Sequence, residues 1–310
     1  MRLPRQELQR RPRAQQMRPH LLQRYPCRYD TRRMIADLHL HSHHSDGVLA
    51  PAALMQLVAS QGVTLAALTD HDTVRGCPEA EQTCADLGLG FVPGVEITAG
   101  WQGQELHVLG LGIDPTSEAL HAHLSTVRQL RHARLIEIGR RLERKKQLVV
   151  GEAIEELCRT HDSPTRLHLA RLLVSRGLAK DIAHAFDHWL GRGQAGYAPA
   201  EWPALEIAVK AIREAGGQPV LAHPHRYKIS AGALRRLLAE FGRVGGLGME
   251  VAVGGMSSND FDRLAQLARA NGLAASTGSD FHDPGIPWNP PGRFAKLPPD
   301  LEHVAARLQR

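Results

Sequence analysis

Short apolar runs that end in histidine or acidic residues recur along this chain, and the recurrence restricts the folds open to it. Seven runs rich in branched residues read as strands: Met34–His39, Val63–Thr69, Phe91–Ile97, Leu106–Ile113, Pro219–Ala222, Leu247–Val253 and Leu273–Thr277. Helical patterns over Pro51–Gln61, Cys77–Leu87, Pro203–Ala215, Ala233–Phe241 and Asn259–Ala270 separate several of them. Such alternation predicts an α/β fold around a largely parallel sheet. Between the fourth and fifth runs no convincing strand appears. Helical stretches replace it at Ser117–Lys146, Glu152–Thr160, Thr165–Ser175 and Asp181–Trp189, which predicts a compact helical insertion from near Pro115 to the Gly191–Gly196 segment.

The ionisable residues fall in phase with the strands. His39 and His41 close the first run, and residues two apart on a strand face the same side. Asp46 follows in a glycine-containing loop. Asp70, His71 and Asp72 follow the second run, Glu96 ends the third, and His107 lies on the fourth. His223 ends the fifth, and Asp280 and His282 follow the seventh. An α/β barrel builds its active site from such strand ends. The histidines away from these ends, with His43 and His44, read as ordinary surface or core residues. Imidazole and carboxylate without thiol describe a hydrolytic metal site better than a structural one, and mixed nitrogen and oxygen donors suit Mn²⁺, Fe²⁺ or Zn²⁺.

Charge excludes a basic body. The net charge is +6, but residues 1–34 carry ten arginines against Glu7 and Asp30, a balance of +8, so the remainder sums to −2. The tail is expected to be a disordered extension, or a leader ahead of a start at Met34; an RNA-holding arm is the competing reading. With aromatic residues at 5% and no aromatic–basic groove pattern, a stacking platform for RNA is not expected. Cys27, Cys77, Cys84 and Cys158 lack paired ligand spacing and read as reduced thiols. With no long apolar stretch and no secretory layout at the N-terminus, a cytoplasmic enzyme is expected.

The chain resembles the polymerase-and-histidinol-phosphatase (PHP) family from about Ile35 onward. The resemblance rests on Asp37-Leu-His-Leu-His, Thr69-Asp-His-Asp, Leu221-Ala-His-Pro and Gly278-Ser-Asp-Phe-His. It implies a distorted (β/α)7 barrel of the PHP type with a small all-helical insertion domain. The expected boundaries are an extension at 1–34, barrel at 35–114, insertion at 115–197 and barrel again at 198–310. Pro93-Gly-Val-Glu-Ile, Leu106-His-Val-Leu-Gly-Leu, Thr165-Arg-Leu-His-Leu-Ala-Arg and Gly193-Gln-Ala-Gly-Tyr are similar to one branch of the family. That branch hydrolyses nucleoside 3′,5′-bisphosphates and degrades RNA in the 5′ to 3′ direction.

The branch implies three divalent metal ions, with Mn²⁺ favoured. His39 and His41 would bind the first with Glu96 and Asp280; Glu96 would bridge to a second, completed by His107 and His223; Asp46, His71 and His282 would hold the third. Asp37 and Asp72 would stand behind these ligands. Metal-bound hydroxide, held by Glu96, Asp280 and His223, would be the nucleophile, since no serine or cysteine motif offers another. Arg166 and Arg226 would clamp substrate phosphate. His225 stands where the branch usually has glycine, which narrows the pocket or adds a phosphate donor. The implied substrates are a nucleoside 3′,5′-bisphosphate or a short 5′-phosphorylated RNA, both cleaved between phosphorus and O3′, with no membrane and no obligate protein partner. Competing readings are a phosphatase of small phosphomonoesters such as histidinol phosphate, a non-catalytic PHP module and an RNA-binding module.

Overall fold

The seven strands lie in one sheet in chain order: β1 (Ala36–Asp37), β2 (Leu65–Leu68), β3 (Gly90–Trp101), β4 (Gln104–Leu111), β5 (Gln218–Leu221), β6 (Gly248–Val253) and β7 (Ala274–Gly278). This computed structural model describes residues 34–286 and 289–308, so the expectations for residues 1–33 lie outside the described residues. The sheet nearly closes on itself. The Leu38 N–H donates to the Thr277 carbonyl at 3.0 Å, and the Asp280 N–H donates to the His39 carbonyl at 2.9 Å.

Pairing is parallel except around β4, which is antiparallel to both β3 and β5. The reason is local. Gln102 (φ 47°) and Gly103 (φ 73°) make a two-residue turn with both residues left-handed, which joins antiparallel strands directly. A parallel partner would have required a crossover, and the chain has none there. Reversal brings His107, near the start of β4, to the same rim as the C-terminal ends of the other strands.

Side-chain alternation divides the barrel into two apolar layers. Ala66 and Leu68 of β2 join the large outer core, whereas Leu65 and Ala67 join a smaller cluster with Val92, Leu109 and Val220. The outer core lies under α1 (Pro51–Ser60) and α2 (Cys77–Leu87) and, later in the chain, α7 (Leu205–Glu214), α8 (Ala231–Arg243) and α9 (Ser258–Asn271). Val304 and Ala305, where α10 (Ala305–Leu308) begins, join the inner cluster. Glu96, His107 and Glu250 occupy strand positions between outward-packed neighbours, so they face the barrel axis.

Between β4 and α7 the described residues are helical: α3 (Glu118–Lys146), α4 (Gly151–Thr160), α5 (Arg166–Ser175) and α6 (Ile182–Ala185), followed by a π-helical turn over Phe186–Leu190. The stretch read as one helix at Asp181–Trp189 is therefore split. α3, about 43 Å long at 1.5 Å per residue, belongs to both parts: Leu120 and Leu124 pack into the outer barrel core, and Leu135, Ile138 and Leu142 into a separate helical core with Ile154 and Leu169. Among the described residues no helix is long and apolar enough to cross a membrane, and Cys77, Cys84 and Cys158 are unpaired.

Candidate metal centre

Strand ends converge on Glu96, whose carboxylate is fully buried on β3. Its Oε2 lies 3.2 Å from His39 Nε2, 3.2 Å from His41 Nε2 and 3.0 Å from His71 Nδ1. Its Oε1 lies 2.9 Å from both His107 Nδ1 and His223 Nε2. Asp280 Oδ1 approaches His39 Nε2 at 3.3 Å and His41 Nε2 at 3.2 Å. On the far side, Asp46 Oδ1 lies 3.1 Å from His282 Nε2, and Asp46 Oδ2 lies 3.7 Å from His71 Nε2.

The nine expected ligand residues thus share one neighbourhood: eight of them fall in three overlapping groups, His39, His41, Glu96 and Asp280; His71, Glu96 and His107; and His41, Asp46, His71 and His282; and His223 joins them through Glu96 Oε1. His71 stands between Glu96 and Asp46, and His41 reaches Asp46 as well as Glu96.

His223 (φ 30°), Asp280 (φ 56°) and Asp72 (φ 51°) sit in left-handed conformations that side chains other than glycine seldom adopt. Such strain gathers where geometry matters more than local comfort. Hydrogen bonds hold it in place. Asp72 accepts from the Thr98 N–H (2.8 Å), the Thr98 hydroxyl (2.9 Å) and Arg131 Nε (2.5 Å). Asp37 accepts from the backbone N–H groups of Ser279 and Gly292, each at 2.8 Å, and so ties the loop after β7 to β1.

Burial opposes charge throughout, and the neighbours decide the outcome. It would raise Glu96, Asp46 and Asp280, yet the surrounding cations hold all three well below the usual carboxylate range. For Asp280 the Arg226 guanidinium leads, and for Asp46 the His282 ring. Burial likewise disfavours protonated His41 and His107, but adjacent carboxylates carry them up to about 10 and about 9. His71 goes the other way: burial, with His41 and Arg131 nearby, pushes it well below the usual imidazole value.

The donor set fits a divalent cation. His39 Nε2, His41 Nε2, His71 Nδ1, Asp46 Oδ1 and Glu96 Oε2 are buried and make no hydrogen bond, although several lie little more than 3 Å apart. An unsatisfied buried polar atom costs about 1–3 kcal/mol, and a cation among them would satisfy several at once. No cysteine is present, so a closed thiolate site is ruled out.

The two arginines expected to clamp phosphate are already engaged. Arg226 donates to Asp280 Oδ2. Arg166 donates to Glu105 at 3.3 Å, with its guanidinium 5.9 Å from the Phe186 ring centre. His225 has a buried Nδ1 without a partner, and burial lowers its pKa to about 4.

Four polar residues absent from the expected set take part. Glu250 on β6 accepts from His39 Nδ1 at 2.9 Å and from the His223 N–H at 2.6 Å. Glu105 accepts from Arg134 at 2.7 Å as well as from Arg166. Asp70 accepts from the Ser42 N–H (2.7 Å) and from the Ser42 and Ser45 hydroxyls (each 2.6 Å), which fixes the loop that carries Asp46. Thr165, the N-cap of α5, donates its hydroxyl to Asp46 Oδ2 at 2.8 Å. A cleft of about 130 Å³ opens here between barrel rim and helices, lined by residues that include Asp46, His71, Arg134, Arg166, Phe186 and Trp202.

The PHP domain family matches residues 37–160. The 3′,5′-nucleoside bisphosphate phosphatase of Chromobacterium violaceum is 40% identical over 273 residues, 88% of this chain and 96% of that protein. This chain belongs to the PHP family. A second relative at similar distance is the 5′-3′ exoribonuclease Rnm of Escherichia coli, 40% identical over 273 residues, 87% of this chain and 92% of that protein. Among solved structures, an amidohydrolase from Chromobacterium violaceum with bound sulfate and no metal superposes with a TM-score of 0.83 at 38% identity, covering 88% of this chain and 95% of that one.

Proposed function

We propose that this PHP protein is a metal-dependent phosphoesterase that cleaves the bond between phosphorus and O3′, in nucleoside 3′,5′-bisphosphates and in short 5′-phosphorylated RNA. The observation that carries this reading is the convergence of nine imidazole and carboxylate side chains, among which ligand atoms of His39, His41, Asp46, His71 and Glu96 are buried without hydrogen-bond partners. Three divalent cations, with Mn²⁺ preferred and Fe²⁺ or Zn²⁺ compatible, would be held by His39, His41, Glu96 and Asp280; by Glu96, His107 and His223; and by Asp46, His71 and His282. Bound there, they supply Lewis-acid charge for phosphoryl oxygens and lower the pKa of water.

The chain's own residues supply position. Residues 115–197 are best read as an insertion domain set against the barrel mouth, because α5 reaches Asp46 through Thr165, and Arg171 donates to the Asp46 carbonyl at 2.7 Å. Arg166, steadied by Glu105 and Phe186, is suited to grip a terminal 5′-phosphate bidentately. Arg226, paired with Asp280, places a second cation beside the ligands. Water adds to phosphorus, and the proton goes to the leaving O3′. The product RNA then carries a new 5′-phosphate, so one site serves both substrate types. A phosphatase of small phosphomonoesters would have no use for the arginine- and aromatic-lined cleft under the helices.

Comparing short oligoribonucleotides with 5′-phosphate and 5′-hydroxyl ends tests the gripping role. The 5′-phosphorylated series should turn over at least ~10-fold faster, the equivalent of about 1.4 kcal/mol from one charge-assisted contact. Equal rates contradict it.

A further inference from the structure

β6 presents no candidate ligand of its own, yet its one acidic residue is fully buried against the centre. Glu250 Oε1 accepts from His39 Nδ1 at 2.9 Å, and Oε2 accepts from the His223 N–H at 2.6 Å. These residues belong to strand ends on opposite sides of β6 and β7 in the barrel. Each points its Nε2 inward: His39 Nε2 lies 3.2 Å from Glu96 Oε2, and His223 Nε2 lies 2.9 Å from Glu96 Oε1.

We infer that Glu250 is a positioning residue that fixes His39 with its proton on Nδ1 and seats His223 at its strained backbone, so that both rings offer Nε2 to a cation. This rests on the metal-site reading above. A carboxylate has two acceptor oxygens and no donor, so it satisfies both N–H groups at once. It also forces the imidazole lone pair onto Nε2, the arrangement in which a carboxylate behind a ligating histidine sets its tautomer. His223 needs the help most, because its φ of 30° is costly and Pro224 follows it. The backbone around Glu250 is shaped for this contact. A Cβ at Gly278 would lie 2.4 Å from the His39 Cβ and 2.9 Å from Glu250 Oε1, so only glycine lets the pair approach.

Glu250→Gln keeps the shape but replaces one acceptor with an NH₂ donor. It cannot accept from both N–H groups: either the His223 N–H loses its acceptor, or His39 moves its proton to Nε2 and stops ligating.

The test uses Zn²⁺, which is diamagnetic, with the full chain labelled with ¹⁵N-histidine. In the Zn²⁺-loaded wild type, long-range ¹H–¹⁵N spectra should show His39 protonated at Nδ1 and metal-bound at Nε2. Chelator competition should show Glu250→Gln binding Zn²⁺ 10- to 100-fold more weakly, with an unchanged circular dichroism spectrum. Equal affinity in the variant, or wild-type His39 carrying its proton on Nε2, overturns the inference while leaving the metal site standing. The wild-type spectrum decides the matter even if the variant does not fold. Wild-type protein that takes up no Zn²⁺ contradicts the metal-site reading and this inference with it.

Discussion

Asp72 shows how much one side chain can hold at this centre. It is buried in a left-handed conformation and pairs with Arg131, itself only 6% exposed. Removing one member of such a pair strands the other, which typically costs about 3–5 kcal/mol. Asp72→Ala should therefore lower the free energy of urea unfolding by about that amount. The exposed pair of Arg269 with Asp300 is the control, and Asp300→Ala should cost far less. Similar losses from both would contradict the burial argument. At this scale the sequence was legible wherever a histidine marked a strand end. Glu250 and Glu105 escaped for different reasons. Glu250 lies inside the apolar run Gly-Met-Glu-Val-Ala-Val, where an acid must be paired if buried, and that signal was available. Glu105 sits beside a polar hairpin turn, where an acid is ordinary, and only three-dimensional contact with Arg134 and Arg166 sets it apart.

Most helix ends were read to within about two residues, because period and punctuation agreed, whereas β1 is shorter than its apolar run and β3 continues to Trp101. α2 and α9, for instance, both end on left-handed glycines, Gly88 and Gly272. The reversal of β4 was not read, since its cause is a two-residue turn and not a pattern along the strand. The same elements predict opposite outcomes for two glycines. Gly242 lies in α8 with open space around its Cβ position, so Gly242→Ala should stabilise by up to about 1 kcal/mol through helix propensity. Gly278 lies at the end of β7 against His39, so Gly278→Ala should cost about 1–3 kcal/mol through overpacking and displace that ring. Thermal unfolding of the two variants checks this; a stabilising Gly278→Ala would contradict the close approach of β7 to β1.

Across the molecule, acid should loosen the fold through histidines kept neutral. His303 joins the C-terminal segment to the sheet: the Ala305 N–H donates to its Nδ1 at 3.0 Å, and Nε2 lies 3.2 Å from Thr277 Oγ1. Burial lowers its pKa to about 4. The unfolded chain takes up this proton near pH 6.5 and the folded one only near 4. Stability is thus complete above about pH 6.5 and falls as pH drops toward 4, by about 2 kcal/mol at pH 5. Urea unfolding at pH 7.5 and pH 5 should show His303→Gln losing that much less than the wild type; equal losses would contradict it. The barrel and the helical segment were both visible in the sequence as alternation and interruption. How the segment meets the rim was not, since Thr165 and Arg171 reach Asp46 across more than a hundred residues. The account as a whole stands or falls on which bond this centre breaks. Incubating the Mn²⁺-loaded protein with adenosine 3′,5′-bisphosphate should release inorganic phosphate and leave adenosine 5′-monophosphate. Release of the 5′-phosphate instead, or no hydrolysis by metal-loaded protein, would contradict it.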